Sequence, residues 1–130
     1  MPDRQLNKSA GRVCAVAFAA CVACDGPMQP VSLVTEDFRF APDLVRVTAS
    51  VPLTLTVYNA GREIHEFDSP LLRYAGKTPS SEATSKSDRP GIILEPGKSL
   101  QLIMAPPPGT YLYICRRKGH ANMTGTLIVE

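Results

Sequence analysis

Between Cys115 and Met123 the chain reads Cys-Arg-Arg-Lys-Gly-His-Ala-Asn-Met. A thiol, an imidazole and a thioether therefore fall within nine residues. These are soft or borderline donors, and as a group they suit copper better than a hard ion that prefers oxygen. The chain has only one other histidine, His65, far upstream. Two imidazoles and a thiolate in a trigonal plane, with a weakly held methionine sulfur on the axis, form the donor set of a blue-copper centre. His65, Cys115, His120 and Met123 are the candidate metal ligands, and the cofactor they imply is a single ion alternating between Cu(I) and Cu(II). Each has a plainer role when taken alone. A histidine can be a satisfied core residue, a cysteine can act as a small buried hydrophobe and a methionine can fill the core. Their arrangement in one chain is what favours the metal.

Cysteine usage points the same way. Cys14, Cys21 and Cys24 all lie in the first 24 residues, and only Cys115 lies beyond them. A lone cysteine in an exported domain has no internal disulfide partner and is open to oxidation, so its presence asks for a reason. Export itself is read from the N-terminus. Arg4, Lys8 and Arg12 precede the apolar run Val13 to Ala23, which is too short for a membrane span but fits the core of a signal peptide. Two processing routes fit. Small residues before Cys24 and before Cys21 resemble a bacterial lipobox, with Cys24 favoured, although neither has the usual leucine upstream. Cleavage after Ala19 or Ala20 by an ordinary signal peptidase is the alternative. A lipidated Cys24 or Cys21 would tether the domain to a membrane that it does not span. The expected organisation is a signal segment over 1–24, a tether over 25–30 and one domain over 31–130, periplasmic and monomeric.

The elements that must position the four ligands read as strands. Leu53–Tyr58 alternates, with Leu53, Leu55 and Val57 on one face and Thr54, Thr56 and Tyr58 on the other, the pattern of a half-buried strand. Val31–Thr35, Leu44–Ala49, Ile64–Asp68, Ile92–Leu94, Ser99–Met104, Thr110–Cys115 and Gly125–Glu130 have strand character too. Asn59-Ala60-Gly61 and Glu95-Pro96-Gly97 read as turns. Residues 69–90 read as an excursion with one helical turn and a Ser/Thr-rich surface loop. About seven to eight short strands in a domain this small predict an all-β protein, a two-sheet β-sandwich.

In these features the chain resembles the cupredoxins, the small blue copper proteins such as plastocyanin, azurin and amicyanin. The resemblance runs from Val31 to Glu130. It rests on Ile64-His65-Glu66-Phe67, on Gly-Thr-Tyr-x-Tyr-x-Cys from Gly109 to Cys115, on Cys-x4-His-x2-Met, and on the closing Met-x-Gly-Thr-Leu-x-Val from Met123 to Val129. The resemblance implies a Greek-key sandwich with copper at one end. It implies imidazole nitrogens from His65 and His120, the thiolate from Cys115 and a long axial sulfur from Met123. It also implies that His120 presents a solvent-facing edge for electron exit. Many relatives carry an asparagine after the upstream histidine that ties the ligand segments together, and here Glu66 stands there. Alternation turns Glu66 away from the side that His65 faces, which predicts a supporting or surface group and no ligand role.

The same features restrict function. Beyond residue 24 the acidic and basic residues balance at 11 each, so nothing global points to nucleic acid. A multicopper oxidase would need further histidines, a dinuclear copper centre would need a second nearby cysteine, and a thiol hydrolase would need partners that are absent. The expectation is a one-electron carrier and no enzyme, working with a redox partner protein. Copper storage or delivery is the alternative, although the domain holds few methionines and histidines for it. Arg116, Arg117 and Lys118 read either as a solvated loop or as a basic rim for a partner with an acidic docking patch.

Overall fold

The computed structural model describes residues 26–76, 84–85 and 91–130. The predicted signal segment with its three cysteines, and most of the polar stretch within 69–90, lie outside these residues. The described chain forms ten strands: β1 (Gln29–Glu36), β2 (Arg39–Ala41), β3 (Leu44–Val47), β4 (Leu53–Asn59), β5 (His65–Phe67), β6 (Thr84–Ser85), β7 (Ile92–Leu94), β8 (Ser99–Met104), β9 (Gly109–Ile114) and β10 (Thr124–Val129). A single 3-10 turn, Pro70–Tyr74, follows β5.

One layer is a mixed sheet in the order β2-β1-β4-β8, with β1 and β4 parallel. The other joins two smaller sheets, β3-β10-β9 and β5-β7-β6. The seam between those two is the bridge from Asp68 to Ile114, made by Asp68 N–H to Ile114 O (3.0 Å) and Ile114 N–H to Asp68 O (2.9 Å). The fold is thus the expected β-sandwich. Alternation decides which side chains fill it. In β4, Leu53, Leu55 and Val57 are buried. From β8 come Leu100, Leu102 and Met104, and from β1 Val31 and Leu33.

Three sequence expectations shift in detail. β1 begins at Gln29, inside the segment read as a tether, because the Gln29 side chain bonds the backbone of Thr48 and Val51 across the layer. β2 and β6 were not expected, being too short for alternation to register. The helical turn after β5 is a 3-10 turn. Ser69 caps it by accepting from Leu71 N–H and pins it to β9 by donating to Leu112 O at 2.7 Å.

Three aromatic rings from β2, β5 and β9 pack together in the core. Phe40 meets Tyr113 edge-on at 5.1 Å between ring centroids, and Phe67 packs 6.0 Å from Tyr113. Tyr113 faces Gly125 across the β9–β10 ladder. A Cβ at Gly125 would stand 2.0 Å from the Tyr113 ring, so only glycine admits the ring over that strand. The phenol reaches across to donate to Pro42 O at 2.8 Å. Burial, with Asp43 nearby, pushes its pKa to about 12, which keeps that donor protonated. Gly125→Ala should destabilise the fold by about 1–3 kcal/mol through overpacking. Tyr113→Phe should cost only about 0.5–1.5 kcal/mol, the worth of one hydrogen bond. Urea denaturation of the two variants checks the order.

Candidate metal centre

The centre is assembled from two segments that are distant in sequence. β5 supplies His65. Every residue of β5 is buried, because the strand lies between β9 on one side and β7 on the other. The loop from β9 to β10 supplies the rest. Cys115 directly follows β9, and consecutive turns then fold the loop back. His120 N–H bonds Arg117 O (3.1 Å), Met123 N–H bonds His120 O (3.3 Å) and Cys115 N–H bonds Met123 O (3.1 Å). Two of its residues adopt left-handed backbone, Gly119 at φ 88° and Asn122 at φ 68°. Glycine, and next asparagine, tolerate that conformation best, and this is why the chain can reverse so tightly here.

The result is a convergence of donor atoms. His65 Nδ1 and His120 Nδ1 stand 3.2 Å apart, and Cys115 Sγ lies 3.6 Å from His120 Nδ1. All three residues are buried, with donor atoms within 4.8 Å of one another. Nitrogen and sulfur atoms bound at about 2.0–2.3 Å to one ion in a trigonal plane stand about 3.5–3.7 Å apart, and closer when an angle narrows. The observed spacing fits a single ion. Met123 is also buried, and its backbone bonds to both Cys115 and His120.

Proton placement supports the same fit. His120 Nε2 lies 2.8 Å from the Glu63 carboxylate, which can only accept when ionised. The proton therefore sits on Nε2, and the Nδ1 lone pair faces the cluster. His65 Nε2 is buried without a hydrogen-bond partner, 4.0 Å from Asp37 Oδ1. Its nearest charge is again a carboxylate, which favours the proton on that side. Two imidazole lone pairs then point at each other beside a sulfur, an arrangement that a cation relieves. Burial, and next the neighbouring His120, hold the His65 pKa below the ordinary 6.5. The neutral, metal-binding form is favoured.

Glu66 is buried, so the surface reading fails. The chain at Gly91, just before β7, packs against it, and a Cβ there would meet the Glu66 carboxylate. Its contribution to the site comes from the backbone, whose N–H donates to Cys115 Sγ at 3.3 Å. A residue two positions further on, Asp68, ties the two segments together. Its backbone bridges Ile114, and its buried carboxylate accepts from Arg116 Nε. Arg116 is therefore engaged although still exposed, and Arg117 and Lys118 of the expected basic rim are exposed outside that ion pair. His120 also differs from expectation. It is only 5% exposed, with Glu63 on its outer nitrogen and Phe38 edge-on at 5.3 Å.

No protein-family model and no curated protein matches the sequence. Solved structures do match. The dithionite-reduced auracyanin of the photosynthetic bacterium Roseiflexus castenholzii superposes with a TM-score of 0.58 at 20% identity, over 81% of this chain and 99% of that one. Auracyanin B gives 0.58 at 24% identity, over 82% and 91%. Auracyanin A, a "blue" copper protein of Chloroflexus aurantiacus, gives 0.56 at 20% identity, over 80% and 100%. The fold is the cupredoxin fold. At these identities the likeness is one of architecture, and what the donor cluster of this chain can bind rests on its own geometry.

Glu63, Asp37, Phe38, Asn59 and Asp68 were missed from sequence. Glu63 lies in the bend before β5, where strand alternation does not apply, so no local pattern marked it. The low pKa of His65 also has a consequence for stability. The unfolded chain takes up a proton at His65 below about 6.5 and the folded metal-free chain resists it, so the unfolded state binds more protons there. The metal-free protein should lose stability as pH falls below about 6.5, down to the folded pKa. Denaturation midpoints across that range, with His65→Phe lacking this component, measure it.

Proposed function

We propose that this protein is a type 1 copper protein that carries one electron, with copper held by His65, Cys115, His120 and Met123. The observation that carries the reading is the buried convergence of two Nδ1 atoms and one Sγ at 3.2 and 3.6 Å. Copper would supply the one-electron step between Cu(I) and Cu(II).

The rest of the chemistry belongs to the chain. β5 and the β9–β10 loop are locked by the Asp68–Ile114 bridge and backed by the Phe40, Phe67 and Tyr113 rings. Donors held this way change position little between redox states, which keeps the reorganisation cost of transfer low. The Glu66 N–H on Cys115 Sγ withdraws charge from the sulfur and tunes the potential. His65, Cys115, His120 and Met123 would together supply four protein donors to a bound ion, which favours electron carriage over catalysis. Burial of the donors likewise disfavours storage or delivery, which needs ligands that exchange metal readily.

The N-terminal basic residues and apolar run support export to the periplasm, with Cys24 or Cys21 as the lipid attachment. Among the described residues no helix is long and apolar enough to cross a membrane. A redox protein with an acidic patch is the proposed partner, met by Arg117 and Lys118.

Cu(II) loading should give one ion per chain, an intense thiolate-to-copper charge-transfer band and narrow copper hyperfine splitting in EPR. A pale, ordinary Cu(II) spectrum would move the function to copper handling. Cys115→Ser should abolish the band while circular dichroism keeps the β signal, and a fully coloured variant would overturn the ligand assignment. Replacing Arg117 and Lys118 by glutamine should lower the reduction potential. A cation about 10 Å from the centre is worth roughly 20–70 mV, less when exposed and screened. The salt dependence of partner reduction should flatten in the same variant.

A further inference from the structure

We infer that Glu63 is a positioning residue for the metal centre: its carboxylate fixes the His120 tautomer and ring orientation and biases the bound metal toward its oxidised state. The inference rests on the copper reading for its redox half and on the metal-free geometry for its positioning half.

Glu63 Oε2 lies 2.8 Å from His120 Nε2, on the edge of the ring opposite the donor cluster. A carboxylate there admits one proton arrangement, Nε2–H outward and the Nδ1 lone pair inward. Hydrogen bonding from the outer nitrogen to a carboxylate raises the basicity of the inner one and holds the ring in plane with its target. The two histidines are not equivalent in this respect. His65 Nε2 has no hydrogen-bond partner, and Asp37 Oδ1 stands off at 4.0 Å. His65 is held by burial on a strand, whereas His120 sits on a loop and has less to orient it.

Glu63 is itself held in place. Asn59 is fully buried. Its Nδ2 donates to Glu63 O (2.8 Å) and to Leu94 O (2.9 Å), and its Oδ1 accepts from Gly61 N–H (2.9 Å). Asp37 Oδ1 accepts from Arg62 N–H at 2.8 Å from the other side of the turn. The backbone that carries Glu63 is therefore tied to β7 and to the β1–β2 connection. An incidental surface ion pair has no such frame. Phe38 closes the remaining flank of His120 edge-on, at φ 71°, a backbone conformation unusual for an aromatic residue.

A half-exposed carboxylate adjoining one ligand also acts through its charge. It stabilises the state with the greater positive charge, which lowers the reduction potential.

Two variants of the full chain separate position from charge. Glu63→Ala removes both, and Glu63→Gln keeps an acceptor oxygen without the charge. Long-range proton–nitrogen NMR on the metal-free protein reads the tautomer of His120 directly. The wild type should show Nε2–H alone, Glu63→Gln should keep it, and Glu63→Ala should mix the two tautomers. Cu(II) affinity should fall about 10–100-fold in Glu63→Ala and only a few-fold in Glu63→Gln. Both should shift the redox equilibrium toward the reduced state by up to about tenfold, 59 mV for one electron. An unmixed Nε2–H tautomer together with unchanged affinity in Glu63→Ala overturns the positioning role. An unchanged potential in Glu63→Gln overturns the charge role. If the wild type binds no copper, the copper reading fails by itself, and the tautomer measurement still decides whether Glu63 orients His120.

Discussion

The site depends on one pair of backbone hydrogen bonds, the reciprocal bonds between Asp68 and Ile114. They join two small sheets into one layer, and they sit next to both ligand segments. Three residues before Asp68 stands His65, and one residue after Ile114 stands Cys115. A slip of one residue at this seam would turn His65 to the opposite face of β5 and separate it from the thiol. The Asp68 carboxylate strengthens the seam through Arg116, and Ser69 adds a further bond to Leu112 O. Three successive contacts thus fix the register between chain segments nearly fifty positions apart.

The sandwich gives that seam something rigid to rest on. Phe40 from one layer and Phe67 and Tyr113 from the other fill the space below it. Tyr113 enters only because Gly125 has no side chain, and its hydroxyl then bonds Pro42 O. Packing of this kind opposes relaxation of the donor cluster. Without a cation the cluster is unfavourable, since lone pairs converge in a dry place. The surrounding fold holds that arrangement in being, and the same rigidity would limit rearrangement during electron transfer.

Much of this was legible in the sequence, because the informative signals are local. Leu53, Leu55 and Val57 announce a buried face by alternation alone, and the spacing from Cys115 to Met123 announces a metal loop by residue type. Other features depend on what the chain meets in space. Glu66 read as a supporting or surface group, yet the chain at Gly91 packs against its carboxylate and buries it. Arg116 looked like part of a free basic rim, yet Asp68 claims it. β2 is three residues long, and the left-handed Phe38 that precedes it follows no propensity rule. Asn59 reads as a turn residue, and nothing local tells that its amide ties Glu63 O to Leu94 O.

Charge around the centre is arranged in two opposed shells. Carboxylates of Glu63 and Asp37 face the outer nitrogens of the two imidazoles, at 2.8 and 4.0 Å. Arg117 and Lys118 lie on the exposed loop, and Arg116, which could have added to them, is neutralised by Asp68. Coulomb energy falls with distance and with the dielectric between the charges, so a carboxylate bonded to a ligand outweighs a cation in solvent. The inner acidic shell therefore dominates the field at the donors. The exposed cations of Arg117 and Lys118 contribute less to it. One stretch of sequence, Cys115 to Met123, in this way presents cations to solvent while the donor cluster beneath it is bordered by negative groups from elsewhere in the fold.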